Sequence, residues 1–261
     1  MKILVFVKQV PDTDDVRLDP KTGNLMRDGV QSIINPFDAN AIETAIHLKE
    51  EYGGSVTAIS MGPPQADDVL KKALAMGCDE SVLLSDRALG GADTLATGYP
   101  LAKAAEKIGG YDLLICGRHA VDAETAQTGP IIAGFLDIPQ VTLVDSIKIE
   151  DGYAVCGRLL NDRTETVRVR MPALITVCSE INTPRYPTPI NIMRALKKPR
   201  FIWNAQDIAC DPEMIGVAGS PSSNKKIFAP PKHNTATKFF TGSAEDIAKQ
   251  IVDVFAAENL L

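Results

Sequence analysis

The sequence predicts an α/β fold: a parallel sheet with helices on both faces, added antiparallel strands, and a C-terminal arm and helix. Three observations carry this. Short apolar runs alternate with helix-periodic stretches from the N-terminus to about residue 140, the pattern of a sheet buried on both faces. From 141 to 178 the pattern becomes strand after strand, with Asp151-Gly152 as a hairpin signal. Beyond Thr183 the chain turns Pro- and Lys-rich before a last amphipathic stretch.

In chain order, residues 3–7 (ILVFV) read as a buried strand. Residues 8–39 interrupt the alternation and contain VRLDPKTGNLMRDG, a hairpin around residues 20–24. Residues 40–51 read as a helix, with Asn40 and Glu43 at capping-box spacing and Gly53-Gly54 as its end. A strand at 55–60, a helix at 65–76 stopped by Gly77, and a strand at 81–84 follow. The helix at 93–107 has Asp93 or Thr94 as its cap and Gly109-Gly110 as its end. A strand at 113–116 and a helix at 125–136 complete the alternation. The strands at 141–150, 153–160, 164–170 and 173–178 include RTETVRVR, whose polar–apolar alternation fits a half-exposed antiparallel strand. This divides the chain into an α/β nucleotide-binding domain at 1–190, an extended arm at 191–242 and a helix at 243–261 that docks on a partner subunit. The arm follows from the low hydrophobicity of 204–241. The docking follows from the stripe Ile247, Ile251, Val254 and Phe255, which needs a surface to pack on.

Composition narrows the function. The chain has 261 residues, 45% hydrophobic, and a net charge of −6, with pI about 5.2 and mean hydropathy near zero. No clustered basic surface is expected, which argues against a nucleic-acid partner. No apolar run reaches the roughly 18 residues a membrane span requires, and the N-terminal run at 3–7 is a strand rather than a leader. The five cysteines are odd in number and without CxxC spacing, which predicts reduced thiols and a cytoplasmic protein. His47, His119 and His233 lie too far apart for a metal motif.

The most informative stretch is YDLLICGRHAVDAETAQTGPIIAGFLDIPQ, 111–140. It runs from an apolar strand through a loop of small and polar residues into a helix. In such a sheet, ligands sit where strands end and helices begin, and a helix N-terminus favours an anion. Asp122, Glu124, Thr125, Gln127 and Thr128 can cap the helix or hydrogen-bond a ribose or phosphate, and Gly117 and Gly129 let backbone approach a ligand. Three further loops follow strands at the same edge: PDTDD (11–15), SMGPPQA (60–66) and GGADTLATG (90–98). Taken singly, the first reads as a solvated acidic turn, and the third does not match a phosphate-loop motif. Together they point to one nucleotide or redox-cofactor site without a Walker lysine. No GxSxG elbow surrounds Ser60, Ser85 or Ser179, so a self-contained hydrolase is not indicated. His119 reads as a surface loop histidine.

At VKQVPDT (7–13), NPFDANAIE (35–43), SMGPPQA (60–66), ALAMG (73–77), DAETAQTGP (122–130) and RVRMPALITVCSEINTPRY (168–186), the chain resembles the beta subunit of electron transfer flavoproteins over essentially its full length. The resemblance implies a Rossmann-like domain paired with an alpha subunit, and an arm that reaches across to it. In simple carriers of the family this subunit holds AMP. In the electron-bifurcating branch it holds FAD, takes hydride from NADH, and sends electrons to ferredoxin or flavodoxin and, through the alpha-subunit FAD, to a flavin-dependent dehydrogenase of acyl-CoA or lactate type. VKQVPDT, NPFDANAIE, SMGPPQA and GADTLAT resemble that branch more closely. The implied cofactor contacts are Val7, Val10, Asp12, Asn35, Asp38, Asn40, Met61, Gly62, Asp93, Thr94, Thr97, Gly117, Asp122, Glu124, Thr125, Ala126, Gln127 and Thr128. Two features depart from the branch: Asp122-Ala123 stands where Asp-Gly is usual, and PRYPTPINIMRA (184–195) is more like the partner-recognition loop of simple carriers. A nucleotide-binding module resembling universal stress proteins is the reading from another class.

Overall fold

A computed structural model describes residues 1–12, 32–223 and 237–260, together with the backbone of 17–18 and 25–26. Among these the strands are β1 (Lys2–Phe6), β2 (Gln9–Pro11), β3 (Arg17–Leu18), β4 (Leu25–Met26), β5 (Ser32–Ile34), β6 (Ser55–Met61), β7 (Glu80–Leu84), β8 (Leu113–Gly117), β9 (Gln140–Glu150), β10 (Tyr153–Leu159), β11 (Thr164–Arg170), β12 (Ala173–Val177) and β13 (Arg200–Trp203). The helices are α1 (Pro36–Tyr52), α2 (Asp67–Met76), α3 (Thr94–Ile108), α4 (Thr128–Phe135), α5 (Pro189–Ala195) and α6 (Ala244–Ala257).

Nine strands form one sheet in the order β11-β10-β9-β12-β8-β1-β6-β7-β13. From β9 to β13 neighbours run parallel, while β10 and β11 add antiparallel strands at one side. Alternation along β1 divides the core. Ile3 and Val5 face α1 and α2, whereas Leu4 and Phe6 face α3 and α4. The side chains of Ile3, Leu4, Val5 and Phe6 are all buried, which is why the sequence shows a continuous apolar run rather than an alternating one.

After β1 the chain builds outward through β6 and β7, then returns to place β8 on the other side of β1. The loops leaving β1 and β8 therefore diverge, and the crevice between them is where such sheets take ligands.

Several boundaries differ from the sequence expectation. Helix α1 begins at Pro36, whose ring presets the helical φ of the first turn. Asn40 and Glu43 consequently lie within the helix and form no capping box. Helix α4 begins at Thr128 rather than 125, because Glu124 (φ 52) and Ala126 (φ 54) are in the left-handed region. Residues 191–223 are not an extended arm. Helix α5 packs on α2, β13 is the ninth strand of the sheet, and Ala205, Ile208 and Ile215 are buried on the α3–α4 face. The apolar residues of this stretch, broken into short runs by Pro, Lys and Asp, seat it. The chain accordingly divides into Met1–Lys225 and Lys226–Leu261. In the second unit α6 opens with a capping box between Ser243 and Asp246. The ladder between β3 and β4 is antiparallel, as a hairpin requires. Its turn at 19–24, residues 13–15 of the acidic segment, and 224–236 of the arm lie outside the described residues.

The five cysteines are free, four of them buried. No helix among the described residues is long and apolar enough to cross a membrane, and no cluster of three or more His, Cys, Asp or Glu among them could hold a metal.

Candidate nucleotide-binding site

A cavity of about 550 Å³ opens at the C-terminal ends of β1, β6 and β8. It spans the crevice at the strand-order reversal and continues to the N-termini of α3 and α4. One end is polar, formed by the loop after β8 with Arg118, His119, Thr125, Gln127 and Thr128. The other combines the apolar Ile59, Met61 and Leu101 with Asp93, Thr94 and Thr97.

The polar end offers free donors from which an anion could accept hydrogen bonds. The first N–H groups of α4, those of Thr128 and Gly129, have no intrahelical acceptor, and Gln127 at the N-cap makes no side-chain capping bond. Its Oε1 instead accepts from Thr94 Oγ1 at 3.1 Å, a bond that joins α4 to α3. Ala126 is left-handed and Gln127 right-handed, the alternation that turns successive N–H groups into one concavity. Gly129 is buried, and a Cβ on it would lie 2.8 Å from Thr176.

The start of α1 holds this loop in place. Asn35 is fully buried. Its Nδ2 donates to His119 O at 2.8 Å, and its Oδ1 accepts from Val121 N–H at 3.1 Å. Asp38 Oδ2 accepts from Lys8 N–H at 2.8 Å and Oδ1 from Gly117 N–H at 3.2 Å, so one carboxyl ties together the ends of β1 and β8. Burial pushes the Asp38 carboxyl up to about 7, against the pull of Asn35, the two N–H groups and the Lys8 charge. Between these two residues Phe37 is a platform, with the Arg118 guanidinium 4.6 Å from the ring centroid and His119 edge-on at 4.6 Å. Burial, then the Arg118 charge, lowers the His119 pKa, so the ring is neutral at pH 7.

At the other end Asp93 caps α3 by accepting from Leu95 and Ala96 N–H. Desolvation raises its pKa. The N–H of Ala96 and the hydroxyl and N–H of Ser222 outweigh that, and the carboxyl stays below the ordinary aspartate value.

Of the residues singled out in the sequence, Val7, Asp38, Met61, Asp93, Thr94, Thr97, Gly117, Thr125, Ala126, Gln127 and Thr128 line the cavity together. Seven do not. Val10 is buried in the β2–β5 pair, and Asp12 is exposed beyond it. Asn35 acts on the loop from behind. Asn40, two residues after Asp38 on α1, donates instead to Asn182 O at 2.8 Å. Gly62 donates its N–H to Leu84 O, and a Cβ there would press on Ala66. Asp122 pairs with Lys8 at 2.7 Å. Glu124 is exposed at a left-handed turn.

Residues 22–207 match the family described as "Electron transfer flavoprotein domain". The chain belongs to the electron transfer flavoprotein family. Its relatives place it with the beta subunits. It is 48% identical, across the whole of both chains, to "Electron transfer flavoprotein subunit beta" of Thermoanaerobacterium thermosaccharolyticum. It is 44% identical, again over all of both, to "Caffeyl-CoA reductase-Etf complex subunit CarD" of Acetobacterium woodii. To "Acryloyl-CoA reductase electron transfer subunit gamma" of Anaerotignum propionicum it is 39% identical over the full length of each.

For an electron transfer flavoprotein subunit, the cavity's residues fit a nucleotide with an anionic centre. Arg118 lines the cavity and its Nε is buried with no hydrogen-bond partner among the described residues, so the guanidinium has donor capacity to spare, which an anion would satisfy best. Sequence reasoning missed Arg118, and it took His119 for a surface residue although the ring lines the cavity. Phe6, Lys8, Ile59, Leu101, Cys116 and Ser222 were also missed. The signal for Arg118 was present, since it immediately follows the glycine that ends the crevice strand. Ser222 had no local signal.

Proposed function

We propose that this chain is the beta subunit of an electron transfer flavoprotein that binds FAD in the cavity and works in flavin-based electron bifurcation with an alpha subunit. When bound, FAD would accept hydride from NADH, one electron leaving for ferredoxin or flavodoxin and the other for the alpha-subunit FAD and a partner acyl-CoA or lactate-type dehydrogenase. The observation that carries the reading is the mixed lining of the cavity, in which an apolar floor of Ile59, Met61 and Leu101 suits a flavin ring and the polar 118–128 loop, joined to the start of α3, suits its phosphates.

The chain's own residues divide the work. The amides at 126–129 and the Arg118 guanidinium bind phosphate. Asp38 and Asn35 keep those donors aimed. Thr94 and Thr97 offer hydroxyls to the flavin end, and Ile59, Met61 and Leu101 exclude water from one side of it. The relatives' names add context, since one belongs to a caffeyl-CoA reductase complex and another to acryloyl-CoA reductase. A partner acting on an acyl-CoA suits them.

The test is to produce the chain with its alpha subunit, count flavin and AMP per heterodimer, and add NADH anaerobically. Two flavins per heterodimer, with bleaching by NADH, is the expected result. One flavin with one AMP, and no reduction by NADH, would establish the simple-carrier form instead.

A further inference from the structure

Asp93 lies on the cavity wall, where the sequence made it a cofactor contact, yet its hydrogen-bonding capacity is already engaged. Oδ1 accepts from Leu95 N–H at 3.0 Å and Ala96 N–H at 3.1 Å. Oδ2 accepts from Ser222 N–H at 3.1 Å and Ser222 Oγ at 2.8 Å. A carboxylate offers about four acceptor sites, and four donors occupy them. The Asp93 N–H donates in turn to Ser220 Oγ at 2.9 Å, and that hydroxyl donates to Gly216 O at 2.6 Å.

The segment so held is itself closely seated. Ile215 is buried among the residues that cover α3 and α4. Gly216 has φ +56, and a Cβ on it would collide with the backbone oxygen of Ala88. Val217 rests against Gly91, where a Cβ would come within 2.8 Å of Cγ2. At the far end of this turn Ser222 lines the cavity.

We propose that Asp93 is a positioning residue that staples segment 216–222 to the N-terminus of α3, so that this segment, through Ser222, forms one wall of the nucleotide cavity. Asp93 then acts on the nucleotide through the wall it holds rather than by direct contact. The stretch of chain just before the second unit thereby becomes part of the nucleotide site, although it lies more than a hundred residues from the other lining elements of that wall. This goes beyond the FAD reading and depends on it only for where the ligand lies.

The variants separate the two jobs of the carboxylate. Asp93→Asn keeps an oxygen to cap α3, since Asn and Asp cap equally well, but sets an N–H₂ donor against the Ser222 donors. Asp93→Ser likewise retains a cap and lacks the second oxygen. Ser222→Ala removes the hydroxyl bond and keeps the backbone one. The full-length chain, co-purified with its alpha subunit, is assayed for hydrogen exchange and for retained FAD and AMP after extended dialysis. Both Asp93 variants should exchange the amides of 216–223 at least about tenfold faster, given the loss of two bonds to a charged acceptor, with α3 unchanged. The nucleotide off-rate should rise by a similar factor, and Ser222→Ala should fall between. A faster off-rate with unchanged exchange at 216–223 would make Asp93 a direct contact and overturn the proposal. Faster exchange with an unchanged off-rate would overturn it too, because the segment would then not be a wall. Finding AMP rather than FAD in the wild-type complex would refute the flavin reading alone, and the same comparison would be read on AMP.

Discussion

Arg185 and Glu43 offer the sharpest stability test. The Glu43 side chain is 2% exposed. Its oxygens accept from Arg185 backbone N–H at 3.0 Å and Nε at 2.9 Å, and Nη2 lies 2.9 Å away. His47 Nε2 is 2.7 Å from the same carboxylate. Removing the guanidinium by Arg185→Met leaves that buried carboxylate with only the backbone N–H and His47. Breaking a buried pair from one side costs about 3–5 kcal/mol. Arg185 is itself 34% exposed, and its second partner Glu50 sits on the surface, where a pair contributes about 0–1 kcal/mol. The low end, about 3 kcal/mol, is therefore expected. At about 2–4 °C per kcal/mol for a chain of this size, the midpoint should fall by about 6–12 °C. Glu43→Gln leaves Arg185 with Glu50 and should cost about 1–2 kcal/mol. The double variant removes the buried charge as well, so it should be no less stable than Arg185→Met, with a coupling of at least about 1–2 kcal/mol. Urea denaturation of the four proteins, followed by circular dichroism, completes the cycle. Additivity to within about 0.5 kcal/mol, or an Arg185→Met cost below 1 kcal/mol, would refute the reasoning.

Asp38 sets a pH dependence. Its pKa is raised from 3.8 to about 7 in the folded chain, so between these values the native state holds a proton that the unfolded chain releases. Its contribution is full below pH 4 and is lost as pH rises to 7, by at most about 4 kcal/mol at 1.36 kcal/mol per pH unit. Asp38→Asn should remove that negative slope, read as the wild-type minus variant difference in urea stability at pH 4, 5.5 and 7; a flat difference would show that Asp38 is ionised throughout. On α5, Ile190 is 61% and Met193 70% exposed, on a segment stiffened by Pro184, Pro187 and Pro189. Ile190→Ala with Met193→Ala should slow electron transfer to the partner dehydrogenase about tenfold or more, as loss of an apolar anchor does, while flavin content and diaphorase activity with artificial acceptors stay near wild type. Equal loss of both activities would make the segment structural.

The sheet was legible because burial on both faces writes itself locally. ILVFV at 3–7 and LLIC at 113–116 are continuous apolar runs, and RTETVRVR alternates because one of its faces meets water. The crevice was legible for the same reason, since loops that follow strands of one parallel sheet share an edge. Asp93 could be read as the cap of α3 because capping is set within a single turn of chain.

What the sequence left open is what long-range contacts decide. Asn40 and Glu43 have capping-box spacing, but Asn182 and Arg185, more than a hundred residues away, engage their side chains. The start of α4 depends on left-handed residues at 124 and 126 that Asn35 helps to hold by gripping His119 and Val121. In residues 200–215 the apolar positions fall in short runs broken by Asn, Asp and Pro, too short to announce a strand and a covering segment, yet β13 takes its register from β7. Ser222 lines the cavity and bonds Asp93, more than a hundred residues away. A strand run, a cap or a turn is a free-energy choice among neighbours in sequence, so the sequence alone determines it. Which carboxylate anchors which distant amide is a choice among groups that meet only after the sheet has formed, and the tertiary structure decides it.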